Sequence, residues 1–119
     1  MWVYEQASGR LLAEGGILVG EGYSGSGDGK NNPDMESVHD IGPCPQGFFT
    51  IGPAHDHPVL GPLTMDLTPD PENEMFGRDA FRIHGDNADH TASEGCIVMP
   101  RDVRKKIAAS SDRTLEVVA

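Results

Sequence analysis

Positive charge is scarce in this chain. Nine Lys and Arg face nineteen Asp and Glu, a formal net charge of −10. Nucleic acids and anionic lipid surfaces are held by basic patches, which this balance does not supply. The sequence therefore predicts neither a nucleic-acid nor a membrane partner, and the acidity reads as ordinary solubility. Long apolar runs are lacking too: none approaches the roughly 20 residues that span a bilayer. The N-terminus has neither a basic n-region nor an apolar h-region, so the expectation is a protein made in the cytoplasm without its own export signal. Cysteine is limited to Cys44 and Cys96. Two cysteines allow one disulfide at most, and paired cysteines belong mainly to small secreted chains with a signal peptide. Cys44, between Pro43 and Pro45, reads as a small apolar residue in a rigid turn.

Gly and Pro are plentiful, 15 and 9 of 119 residues, while apolar residues make up 37%. A small core with many turns favours short strands over a helical bundle. At roughly 100–200 residues per domain, the chain reads as one domain, 1–119, mostly β, a compact sheet or sandwich. Trp2 to Tyr4 and Leu11 to Ala13 flank Ser8-Gly9 as a hairpin, and Ile17 to Val19 continues the meander towards Tyr23. From Ser24 to Pro45 the composition turns to Gly, Asn, Asp and Pro, predicting a long loop without regular structure. Phe48 to Ile51, Leu63 to Thr68, Phe81 to His84 and Leu115 to Val118 read as strands, with Gly52 to Pro62 as a turn-rich connection. One short helix starts near Pro100, where Asp102 suits the first turn and Val103 pairs with Ile107. Arg104, Lys105 and Lys106 fall late in it, the usual stabilising place for cations.

Chemistry concentrates in two neighbouring segments, Phe81-Arg82-Ile83-His84-Gly85-Asp86 and Ser93-Glu94-Gly95-Cys96-Ile97-Val98. A thiol attacks carbonyls as thiolate, so a cysteine enzyme needs an imidazole to take its proton and return it to the leaving amine. Gly95 lets the backbone turn tightly, leaving the Cys96 thiol exposed and backbone N–H groups directed at a developing oxyanion. His90 lies nearer to Cys96 in sequence but in polar loop, whereas His84 ends an alternating run and so has a rigid mount. Ser93 can bond a substrate peptide or cap the loop itself. Arg82 and Arg78 can hold a substrate carboxylate or form surface salt bridges. Asp86 and Glu94 can tune local pKa values or select the substrate. No metal is predicted: His55 and His57 sit in a Pro-rich loop as solvated turn residues, without the closely spaced pairs or helix-borne His-x-x-x-His of zinc sites.

On these residues the chain resembles the L,D-transpeptidase superfamily, whose signature is a histidine followed after a loop by Ser/Thr-x-Gly-Cys. It is most similar to the small catalytic domain of Tlde1-type interbacterial effectors, in which the residue before Gly-Cys varies, as with Glu94. Further agreement lies in Ser24-Gly25-Ser26-Gly27, Lys30-Asn31-Asn32-Pro33, Gly42-Pro43-x-Pro45-x-Gly47-Phe48-Phe49, Leu67-Thr68-Pro69 and Phe76-Gly77-Arg78, so that it covers nearly the whole chain. The resemblance implies a cysteine enzyme, without cofactor, acting at the L-to-D bond of peptidoglycan tetrapeptide stems. It would work as an L,D-carboxypeptidase, an L,D-transpeptidase or a D-amino acid exchanger. Cys96 would be the nucleophile, His84 the base, and Gly85 the source of a carbonyl that orients the imidazole. The active-site groove would run between the Ser24–Asn32 loop, with Ser24 and Asn31 towards the substrate, and the turn carrying Cys96. Such an effector would act in the periplasm of a target cell after delivery, with secretion machinery and a cognate immunity protein as partners. The other readings are a zinc-dependent peptidase and a non-catalytic cell-wall-binding module.

Overall fold

The computed structural model describes residues 1–119. β1 (Trp2–Glu5), β2 (Arg10–Ala13) and β3 (Ile17–Glu21) form the expected antiparallel meander. β4 (Tyr23–Ser24) follows after Gly22 alone. The segment from Ser24 to Pro45 is more ordered than its composition predicts, because two 3-10 turns, Gly27–Gly29 and Pro33–Met35, divide it. The second is set by local chemistry: Pro33 fits the first position and the Asn32 side chain accepts from the Asp34 N–H.

β5 (Gly47–Ile51), β6 (His55–His57), β7 (Gly61–Pro69), β8 (Arg82–His84), β9 (Ile97–Val98), α1 (Arg101–Ala109) and β10 (Thr114–Val118) complete the chain. β6 corrects the expectation of loop histidines. Residues 55–57 pair with β7, and His57 Nδ1 closes the hairpin by accepting from the N–H groups of Val59 and Leu60 at 3.1 and 3.0 Å.

The strands run in the order β3-β2-β1-β10-β5-β7-β8-β9-β4, with β6 on β7. The two ends of that order, β3 and β4, are consecutive in sequence, so the sheet curls until its edges nearly meet. Gly22 makes the corner: a Cβ there would lie 1.8 Å from the Val98 carbonyl oxygen. Alternation places Tyr4, Leu11, Met65, Ile83, Ile97 and Leu115 inside, all essentially inaccessible to solvent. α1 adds Val103 and Ile107 to the same core. Arg104 departs from the expected cluster of cations late in the helix: it is the fourth residue of α1 and, one residue after Val103, turns inward with it. Its Nε donates to the Met99 carbonyl at 3.0 Å and its Nη1 to the Pro62 carbonyl at 2.7 Å.

Candidate active site

β8 lies between β7, to which it is antiparallel, and β9, to which it is parallel. Ile83 pairs with Ile97 and both are buried in the core. Side chains alternate along a strand, so His84, one residue after Ile83, and Cys96, one before Ile97, project to the opposite face. They line one cavity of about 480 Å³, whose far wall is the β6–β7 hairpin with His57, Val59 and Leu60. A second cavity, of about 220 Å³, opens on the other flank of Cys96 beside Arg78, Phe81 and Asp79.

His84 is 2% exposed. Its Nδ1 lies 2.7 Å from the Gly85 carbonyl oxygen, which can only accept, so Nδ1 carries the proton and Nε2 keeps its lone pair. Burial holds this imidazole below its ordinary pKa; the Gly85 carbonyl opposes that and the Arg104 guanidinium adds to it. The Cys96 thiol is half-buried rather than fully exposed, and donates to the Ala80 carbonyl at 3.7 Å. Burial pushes its pKa up, against the pull of the Arg82 backbone N–H and the guanidinium groups of Arg82 and Arg78. At neutral pH the two groups lining this cavity thus rest as thiol and neutral imidazole, not as a preformed ion pair.

The turn carrying Cys96 is held from behind. Ser93 Oγ donates to the Cys96 carbonyl at 2.6 Å and accepts from the N–H groups of Gly25 and Gly95 at 2.9 and 3.1 Å. Ser24 Oγ donates to the Gly95 carbonyl at 2.9 Å and accepts from the Cys44 N–H at 2.8 Å. Asn31, at φ 52, accepts from the Ser24 N–H at 3.1 Å. These bonds bear on the expected substrate contacts. Ser24 is 0% exposed and its hydroxyl positions the turn rather than meeting a peptide; Ser93, 1% exposed, caps the loop, one of the two roles open to it; Asn31, half-buried, supports Ser24 through its Oδ1. The Gly95 N–H is taken up by Ser93, which leaves the Cys96 N–H as the unpaired donor beside the thiol.

Arg78 is the second clamp, and a buried one. Its Nη1 donates to the carbonyls of Glu36 and Pro43 at 2.6 and 2.8 Å, and its Nη2 to those of Gly42 and Glu94 at 2.9 and 3.3 Å. It is neither a surface ion pair nor free to take a substrate carboxylate. Gly95 fits beneath it at φ 139; a Cβ there would stand 2.5 Å from Arg78 Nη2 and 2.9 Å from the Phe81 ring. Gly95→Ala is therefore expected to lower stability by about 1–3 kcal/mol and to reduce turnover further by displacing the thiol. A denaturant midpoint and an activity measurement on one sample check this.

The remaining polar residues have other surroundings. His90 is exposed, with Nδ1 2.6 Å from Asp86 Oδ2. Asp86 also accepts from the Tyr23 hydroxyl at 2.6 Å, which clamps the loop between His84 and Cys96 onto β4. Burial and Asp86 together push the Tyr23 phenol up to about 12. Arg82 is paired with Asp66 at 2.9 Å, which His55 also reaches at 3.3 Å. No three His, Cys, Asp or Glu side chains gather as a metal-ligand group. Cys44 and Cys96 are both free, and Cys44 is fully buried, where burial raises its thiol pKa well above the ordinary value. Sequence reading missed the roles of Arg78, Arg104 and the hairpin wall. Their partners are mostly backbone carbonyls dozens of residues away, which leave no mark in local composition.

A protein-family model described as the Tlde1 domain matches residues 19–118, from β3 to the end of β10. Neither the curated proteins nor the solved structures give a match.

Proposed function

The chain belongs to the Tlde1 domain family, and on that premise we propose that it is a cysteine-dependent enzyme acting at the L-to-D bond of peptidoglycan tetrapeptide stems. The family suggests an effector-type domain and is compatible with an enzyme. The observation that carries the proposal is the shared cavity: it receives both the Cys96 thiol and an imidazole whose Nδ1 is committed to Gly85.

In the proposed reaction His84 Nε2 takes the thiol proton as Cys96 Sγ attacks the carbonyl of the L-centre of diaminopimelate. The Cys96 N–H is the available donor to the oxyanion of the tetrahedral intermediate. On collapse the C–N bond breaks, the imidazolium protonates the departing amine of D-alanine, and a thioester remains on Cys96. Water gives carboxypeptidase activity; an amine gives exchange or transpeptidation.

Muropeptide analysis of purified cell wall tests this directly. The parent protein is expected to convert tetrapeptide stems to tripeptides, or to exchange their terminal residue, with loss of activity on iodoacetamide treatment and not with chelator. Unchanged stems, or inhibition by chelator alone, would exclude a cysteine stem-peptide enzyme.

As an antibacterial effector it would act in the periplasm of a target cell after delivery, with an immunity protein guarding the producer. The same protein is then expected to be harmless when expressed in the cytoplasm and to lyse or arrest cells when fused to a periplasmic signal. Equal toxicity in both compartments would count against a cell-wall substrate.

A further inference from the structure

Glu94 stands where the two cavities beside Cys96 meet, and it lines both. Its backbone carbonyl is tied to Arg78. Its carboxylate is exposed and forms no ion pair. The nearby cations are already engaged. In the His84 cavity Arg82 is neutralised by Asp66, which leaves Glu94 as the unpaired charge. The other cavity is lined by the single guanidinium of Arg78, ringed by carbonyls, and by three acidic residues, Asp40, Asp79 and Glu94; His39 lies beside Asp40 at 3.8 Å, so that even a protonated imidazole leaves one carboxylate in excess. A group reaching the reacting sulfur from either side therefore passes an uncompensated negative charge.

The geometry points to Glu94 as a specificity-determining residue whose carboxylate draws a cationic group, the ammonium of an incoming amine, to the carbon bound to Cys96 and disfavours anions. The inference rests on the proposed function and adds the charge of the preferred acceptor. In the step it serves, the ammonium gives one proton to solvent by way of Glu94, and the neutral amine attacks the thioester carbonyl. As the C–N bond forms, the second proton passes to His84. The C–S bond breaks with its electron pair on sulfur, and His84 returns that proton to the thiolate.

Thiol reagents of one size and three charges test the selection without any wall substrate. Methanethiosulfonates bearing an ammonium, no charge or a sulfonate are reacted with Cys96 in the intact protein, with the buried Cys44 as internal control. Relative to the uncharged reagent, which cancels the rise in thiolate fraction when Glu94 no longer raises the Cys96 pKa, Glu94→Gln is expected to slow the cationic reagent about threefold and to speed the anionic one about threefold, as one unit charge at about 6 Å in aqueous surroundings predicts. Glu72→Gln, with the same change in net charge on an exposed loop that lines neither cavity, should move neither rate. Equal shifts in both variants, or none in Glu94→Gln, overturn the inference.

A second arm uses a soluble tetrapeptide stem with glycinamide, a primary amine that carries no carboxylate, as acceptor. The ratio of exchange to hydrolysis should fall at least threefold in Glu94→Gln; an unchanged ratio also overturns the inference. If the parent releases no D-alanine, the proposed function fails, and the reagent rates still decide the role of Glu94.

Discussion

Cys96→Ala is expected to abolish release of D-alanine from tetrapeptide stems while leaving the fold intact. The first half follows from chemistry, since no thioester can form without the sulfur. The second follows from the turn's construction. The thiol donates only a long hydrogen bond, to Ala80, and feels the Arg82 N–H, whereas the backbone on either side of it is held by Ser24, Ser93 and Arg78. Removing a half-buried sulfur that anchors nothing should change stability by less than about 1 kcal/mol. Cys44→Ala reverses the pattern: the thiol is fully buried in the core, so about 1 kcal/mol of stability is expected to go while activity stays. Thermal midpoints and D-alanine release on the two variants separate these outcomes. An inactive Cys44→Ala beside an active Cys96→Ala would refute the choice of nucleophile.

His84→Ala carries the next largest effect, a loss of about 10²–10⁴ in turnover, the span usual for a positioned general base. The pH profile is the sharper readout. Burial favours the neutral imidazole, so its pKa lies below the ordinary 6.5. Only that neutral form can accept the Cys96 proton. Activity should therefore persist as the pH falls through the normal imidazole range and decline below it. His84→Ala should lose this acidic limb, whereas His90→Ala, which removes an exposed partner of Asp86, should keep it with turnover within a few-fold of the parent. Circular dichroism on each variant excludes unfolding as the cause. Should the limb disappear in His90→Ala and survive in His84→Ala, the base lies in the loop.

Strand alternation made much of the architecture legible. Phe81 to His84 and Leu63 to Thr68 carry a period-two pattern that a half-buried strand needs, and both are strands. Val103 with Ile107 marked the inner face of the helix. Three things escaped. β6 has no apolar alternation, and its pairing depends on β7 and on a turn closed by a histidine ring. The curling of the sheet depends on a backbone approach at Gly22 that only the assembled fold creates. At the site, Ser24 was expected to face the substrate as part of a groove wall, and Ser93 to bond a peptide or cap the loop. Their burial and the bonds that consume them are tertiary facts, and so are the carbonyl cages around Arg78 and Arg104.

The parallel pairing of β8 with β9 carries a consequence for how this site can diversify. The proposed base and nucleophile, His84 and Cys96, are spaced by ladder register, Ile83 opposite Ile97, and not by the chain that joins them. That intervening stretch can lengthen at little entropic cost, about 0.6 kcal/mol for each doubling, so it is free to change in size and charge while the dyad stays in place. A slip of one rung would do the opposite, turning Cys96 inward and ending the chemistry at once. Selection can thus retune what this site accepts by rewriting residues 87–92 and Glu94, with the two strands serving as an inherited ruler.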